Sequence, residues 1–242
     1  MLSILRKEFN SFLNSLIAYI VITVFLVAIG MFMWVFPESS VLEYGFADMQ
    51  TLFSMAPWLF LFLIPAITMR MFAEEKREGT IELLLTKPLT DMHLILGKYF
   101  AALLLAIFAL LPTLLYYWAI YQLGNPPGNI DSAAVFGSYI GLVFLAGVFA
   151  AIGVFASSVS DNQIISFVLA VFLSYIIYTG FDLIASIPFW GRYSYTVSQL
   201  GISYHYAAIS KGLLDSRDIL YFLSVIAVML LATKLVLKSR KW

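Results

Sequence analysis

Cysteine is absent from the 242 residues, and charge is scarce: lysine, arginine, aspartate and glutamate together make 12% of the chain. Without thiols there are no disulfides, no thiolate metal sites and no cysteine nucleophile. Only two histidines occur, His93 and His205, too far apart in sequence to suggest a metal cage. Fourteen basic residues balance fourteen acidic ones, so no net basic field exists to recruit nucleic acid. A G-x-x-x-x-G-K-[ST] phosphate loop is missing as well, and Gly97-Lys98 is followed by Tyr99 rather than by a metal-binding hydroxyl. The chain is therefore expected to have no ATP-hydrolysing, catalytic, cofactor or metal site of its own.

What remains is hydrocarbon. The chain is 62% hydrophobic with a mean hydropathy of +0.94, far outside the range of soluble domains and expected of a protein integral to a membrane. A bilayer core about 30 Å thick is crossed by about 20 apolar residues in helix. Six runs qualify: Leu16 to Phe36, Phe53 to Phe72, Tyr99 to Leu123, Ala133 to Ser158, Ile164 to Ile187, and Ile219 to Leu237. Each is bounded by charged, Gly/Pro or Asn/Asp punctuation. An open strand edge would leave its backbone unsatisfied in lipid, so the expectation is a single all-α domain over residues 1–242 with six transmembrane helices.

Residues 1–15 place Leu2, Leu5, Phe9, Phe12 and Leu13 among Ser3, Arg6, Lys7, Asn10 and Asn14, the pattern of an amphipathic interfacial helix. A cleavable signal peptide is the competing reading, but the apolar run that follows is too long and no small-residue cleavage site comes after it. Arg6, Lys7, Arg70, Lys76, Arg77, Lys87, Lys98, Lys234, Lys238, Arg240 and Lys241 fall on one side of the six runs, against Arg192, Lys211 and Arg217 on the other. The positive-inside bias then sets both termini in the cytoplasm. Trp34, Trp58, Trp118, Tyr121 and Trp190 gather toward the opposite interface, where amphipathic rings are favoured.

The most distinctive stretch is the charged island between the second and third runs, a cytoplasmic segment over 73–92. Glu74-Glu75-Lys76-Arg77-Glu78 alternates charge, Ile81, Leu83, Leu84 and Leu85 are apolar, and Lys87-Pro88-Leu89 with Thr90-Asp91 marks a turn into the next helix. One reading is a solvated loop that serves the positive-inside bias. The other is a compact knob for a soluble partner, favoured by four glutamates, Glu74, Glu75, Glu78 and Glu82, that a merely basic loop does not need. Residues 188–218 carry Arg192, Lys211, Arg217, His205 and a group of tyrosines, too apolar for disorder, and are expected to fold onto the outer face as an exit for cargo, a docking surface or a simple cap. Asp215, with Asp218 three residues later, reads as the start of the last helix.

The pattern Glu75, Arg77, Glu78-Gly79-Thr80, Glu82-Leu83-Leu84, Pro88 and Gly97-Lys98 resembles that of ABC-2 type transporter permeases. The resemblance extends through His205, Gly212, Leu213, Asp215, Arg217-Asp218 and Tyr221-Phe222-Leu223. It implies that Glu74, Glu75, Arg77, Glu78, Gly79, Thr80, Glu82, Leu84 and Pro88 form a coupling segment that meets a cytoplasmic ABC ATPase, with ATP and Mg bound by that partner. It also implies a second permease, identical or homologous, location in the bacterial inner membrane, and short re-entrant helices around His205, Gly212, Asp215, Arg217 and Asp218. Within the family, length and short outer loops are most similar to the gliding-motility branch. Permeases of nitrous-oxide-reductase maturation systems share the Glu-Gly-Thr and Gly-Lys elements.

Several features stay open at the level of sequence. Asp182, in the fifth run, reads as an interfacial carboxylate or as an ion relay with Tyr178 and Thr179 nearby. Gly137 and Gly141, then Gly147 and Ala151, form small faces for a helix of this chain or of another subunit. Pro57, Pro65 and Pro112 are kinks of packing or of gating. Ser157, Ser158, Ser160, Asp161 and Asn162 form a polar cluster without a nearby base, which favours a capped turn over an intramembrane enzyme. A secondary carrier would place charged or unwound helix near the midplane, which the sequence does not suggest.

Overall fold

The computed structural model describes residues 1–80 and 90–239. Its elements begin with α1 (Leu2–Leu13), α2 (Leu16–Trp34), the short α3 (Val41–Tyr44), α4 (Gln50–Thr68) and α5 (Ala73–Arg77). They continue with α6 (Asp91–Leu110), α7 (Leu114–Leu123), α8 (Ser132–Val159), α9 (Gln163–Tyr175) and α10 (Phe181–Ala185). The last are α11 (Ser194–Ser198), α12 (Ile202–Ile209) and α13 (Ser216–Ser239). Among the described residues six stretches are long and apolar enough to cross a membrane: Leu16–Trp34, Gln50–Arg77, Asp91–Leu123, Ser132–Val159, Gln163–Ala185 and Ser216–Ser239. The expected all-helical architecture with six candidate spans is thus the observed one, and no strand occurs among the described residues.

The helix starts are written in short polar side chains, each of which satisfies an amide that would otherwise be orphaned. Ser15 Oγ accepts from Ala18 N at 3.3 Å to open α2. Thr90 Oγ1 accepts from His93 N at the head of α6, and Asp131 Oδ1 takes Ala133 N and Ala134 N at the head of α8. Asn162 Oδ1 takes Ile164 N at 2.9 Å, which closes the tight turn from α8 into α9. Pro57 and Pro65 are accommodated inside α4, whereas Pro112 sits in a 3-10 turn, Leu111–Thr113, that joins α6 to α7. A π-turn at Ile176–Gly180 joins α9 to α10.

The bundle is organised around α8, which packs against α13, α9, α4 and α6. Its small residues make this crowding feasible, because in lipid the attraction between helices comes from close contact rather than from expulsion of water. The closest crossing is at Gly153: a Cβ there would stand 2.1 Å from Thr68 Oγ1 of α4. Gly141 lies against Ile209 of α12 and Gly147 against Tyr99 of α6, so these small faces serve contacts within the chain. In contrast, α2, α9 and α13 keep an apolar outer surface, with Leu16, Ile20, Val24, Ile164, Val168, Phe172, Leu220, Val228 and Leu235 exposed. Such a surface is ruinous in water and appropriate in a bilayer.

Gly153→Ala should therefore cost about 1–3 kcal/mol by overpacking, and adding Thr68→Ala should recover part of the loss. Reversible denaturant unfolding in mixed micelles checks this; unchanged stability in the single variant would place the α4–α8 crossing elsewhere.

Candidate functional site

At one end of the bundle the sequence brings four charges from three helices together, and the central one is Lys98. Its side chain is 0% exposed. An ammonium taken out of water costs several kcal/mol unless opposite charge and hydrogen-bond acceptors replace the solvent. Three groups do so here. Glu8 Oε1 of α1 accepts from Lys98 Nζ at 2.8 Å, the carbonyl oxygen of Met71 accepts a second hydrogen bond, and Glu75 Oε2 of α5 lies 2.9 Å away as an ion pair off the hydrogen-bond axis. The Phe72 ring adds its face 5.0 Å from the same nitrogen.

Lys7 completes the set. Its Nζ donates to Glu75 Oε1 at 3.1 Å and stands 3.8 Å from Glu8 Oε1, so two lysines and two glutamates neutralise one another. Partial burial of Lys7 opposes its charge. The hydrogen bond to Glu75 and the charges of Glu75, Glu8 and Glu74 outweigh that and hold its pKa above the ordinary 10.5. A raised lysine pKa stabilises the fold fully below the ordinary value, and that contribution is lost only as pH climbs through the higher folded one. Lys7 therefore supports the cluster across the whole physiological range.

Gly97 explains why the helices can come this close. A Cβ at Gly97 would meet Ile4 Cγ2 at 3.0 Å and the Met1 carbonyl oxygen at 3.3 Å, so the missing side chain is where α1 lies on α6. The Gly97-Lys98 pair thus combines a steric seat for α1 with the charge that binds it. On α1, Ile4, Glu8 and Phe12 recur at four-residue spacing and form the inward face.

From this cluster the chain runs directly into α5. Ser157 Oγ of α8 accepts from Phe72 N at 2.9 Å and Ala73 N at 3.1 Å and donates to the Met69 carbonyl, which fixes where α4 ends and α5 begins. Lys76 Nζ donates to the Ser158 carbonyl oxygen, and Arg70 forms a two-pronged pair with Glu74 at 3.0 and 3.1 Å. The helix stops at Gly79, whose φ of +69° favours glycine, and Thr80 Oγ1 returns to the Glu75 carbonyl at 3.3 Å. Glu78 and Arg77 are exposed at its tip. Glu82, Leu84 and Pro88 lie outside the described residues. Among the sequence-derived residues of this segment, Glu75 belongs to the buried cluster, Glu74 pairs on its edge, and Arg77, Glu78, Gly79 and Thr80 form the surface tip.

The residues singled out near the opposite end form a second, separate group. His205 Nδ1 lies 2.7 Å from Asp218 Oδ1 of α13 and Nε2 lies 2.9 Å from the Gln199 carbonyl oxygen, while the ring stacks on Tyr221 at 3.9 Å. Asp218 is thus engaged by histidine, and Asp215 Oδ1 takes the amide of Arg217 at the start of α13. Gly212 is packed against Ala134 and Gly137 of α8. Arg217 contributes only its backbone to this arrangement. Tyr195 and Tyr204 share a 2.8 Å hydrogen bond that pushes the Tyr195 pKa up and the Tyr204 pKa down. Asp182 is exposed and accepts from Ser203 Oγ, so its partner comes from α12 rather than from Tyr178 or Thr179.

Sequence reasoning missed Glu8 and the role of Lys98. Lys98 counts among the flanking basic residues when orientation is read from the sequence, yet it is buried inside α6. The overlooked clue was Glu8 itself, an acid on the apolar face between Ile4 and Phe12. The two ends make no common reaction centre, and among the described residues no three metal-ligating side chains gather.

A family model described as ABC-2 family transporter protein matches residues 2–241, which is nearly the whole chain, and the chain belongs to that family. No curated protein matches it. The protein is a multi-pass membrane component of an ABC transporter, a type of subunit that has no ATPase site of its own, and the family implies an ABC ATPase as partner.

Replacing Lys98 by Met leaves Glu8 and Glu75, side chains 14% and 10% exposed, with Lys7 as their one remaining counter-charge in the cluster, and should destabilise the protein by about 3–5 kcal/mol. Combined with Glu8→Gln, the double variant should be less unstable than the sum of the singles, with about 0.5–3 kcal/mol of coupling. Unfolding titrations of the four proteins measure both; strict additivity would mean that Glu8 and Lys98 do not interact.

Proposed function

We propose that this ABC-2 family protein is the permease half of an ATP-driven transporter, and that the buried Lys98 cluster couples it to a separate cytoplasmic ATPase. The family match over residues 2–241 supports the transporter reading. The observation that carries the coupling is that Lys98 ties α1, α5 and α6 together, and with them the helices on either side of the segment 81–89. ATP and Mg bind to the ATPase, two copies of which serve two permeases, identical or homologous. When the ATPases close, they press on the segment from Glu74 to Leu89. Because α5 is bonded to α6 and α1 through Lys98 and to α8 through Ser157, the push tilts α4 and α6 as a unit rather than deforming a loop. Both termini are cytoplasmic in this arrangement, in a bacterial inner membrane.

A partner shifts a conformational equilibrium only through contacts that differ between the two states. The exposed tip at Arg77 and Glu78 supplies such contacts, and Glu82, Leu84 and Pro88 continue them. The outer group of His205, Gly212, Asp215, Arg217 and Asp218 shapes the far mouth of the pathway between the permeases. The gliding-motility branch, supported by chain length and short outer loops, is the finer assignment, with the apparatus of the cell envelope as the object of the work.

Glu78→Lys with Glu82→Lys should leave the protein inserted and folded while ATP hydrolysis no longer drives function in reconstituted complex; full activity in a correctly inserted double variant would refute the coupling. Deletion of the gene should abolish surface spreading without affecting viability, and a deletion strain that spreads normally would remove the gliding assignment.

A further inference from the structure

Helix α1 has three faces with different chemistry. Ile4, Glu8 and Phe12 turn inward; Ser3, Lys7 and Asn10 are exposed and polar. The third face, Leu2, Leu5, Arg6 and Phe9, opens onto a groove of about 500 Å³ whose other wall is Leu104, Ile107, Phe108 and Leu111. Two of the contacts between these helices are well separated on α6. Ile4 meets Gly97, and the Phe9 ring meets the Phe108 ring edge-on at 6.3 Å. Those α6 positions are about 16 Å apart along the axis at 1.5 Å per residue.

We infer that this groove is a docking site for an anionic phospholipid of the leaflet on the α1 side, its acyl chain along α6 and its phosphate on Arg6. The apolar wall belongs to a predicted span, so hydrocarbon is the medium that meets it. The single charged side chain of the lining is Arg6, exposed and with no hydrogen bond or ion pair among the described residues, unlike its neighbour Lys7. A guanidinium beside a hydrocarbon groove complements one class of molecule: an anion attached to a fatty tail. Basic residues at the surface of an anionic leaflet gain about 1 kcal/mol each, which makes the site selective without making it permanent. Its occupant would rest on the same helix that carries Glu8 into the Lys98 cluster.

The test uses the full-length chain with its copurifying subunits in mild detergent, titrated with dioleoyl phosphatidylglycerol or dioleoyl phosphatidylcholine, with bound lipid counted by native mass spectrometry. The wild type should retain phosphatidylglycerol about fivefold better than phosphatidylcholine. Arg6→Gln should bring the two to the same level, and Leu104→Trp, which fills the groove, should lower both. Undiminished preference in Arg6→Gln, or undiminished binding of both lipids in Leu104→Trp, would overturn the assignment. Displacement of phosphatidylglycerol by an equal concentration of glycerol 3-phosphate would also overturn it, since the site would then be one for soluble anions.

Discussion

A lysine ammonium sealed from water inside a helix that crosses a membrane must be neutralised by charges brought from elsewhere in the chain, and the charged end of this protein is arranged around that need. Lys98 draws Glu8 from the N-terminal helix and Glu75 from the short helix after α4, and takes the Met71 carbonyl as well. Since α6 is one of the central helices of the bundle, anything bound to Lys98 inherits its rigidity. Pairs of this kind are weak contributors to net stability, because desolvation consumes most of the Coulomb attraction. Their strength lies in what removal costs, so they serve well as registration points that hold otherwise independent elements in one arrangement.

The same logic shows how α5, short as it is, is held in place. Five residues are too few for a helix to persist on its own, and α5 is instead held from outside: its first amides by Ser157, Lys76 by the end of α8, and Glu75 by Lys98 and Lys7. Its tip at Arg77 and Glu78 is therefore the exposed end of an otherwise anchored helix. At the opposite end, His205 plays an analogous part between α12 and α13, with a carboxylate at one nitrogen and a carbonyl at the other. Between these ends α8 supplies a column of glycine and alanine that lets α4 and α6 approach.

Much of the bundle was legible in the sequence because a bilayer imposes one-dimensional rules. Apolar runs of sufficient length, capping residues at Thr90 and Asn162, and the amphipathic pattern of residues 1–15 are local features. What stayed hidden depends on partners far away in the chain. Ser157 reads as part of a capped turn, yet its hydroxyl serves amides some 85 residues earlier. Lys98 reads as a flanking charge, and nothing within a helical turn of it reveals that its counter-ions are Glu8 and Glu75. Asp218 reads as a capping group, and the structure gives it to His205. Charge balance and hydropathy say how many such groups must find partners; only the fold says which.

The most direct measurement is affinity isolation of the tagged full-length chain from its own membrane, wild type beside Lys98→Met, with the stoichiometry of copurified proteins read by mass spectrometry. Coupling through the Lys98 cluster predicts a P-loop ATPase in stoichiometric amount with the wild type, and its loss from Lys98→Met at matched membrane levels of the permease. Recovery of the wild-type chain alone, with assemblies preserved by crosslinking, or equal recovery of the ATPase with both forms, would contradict it.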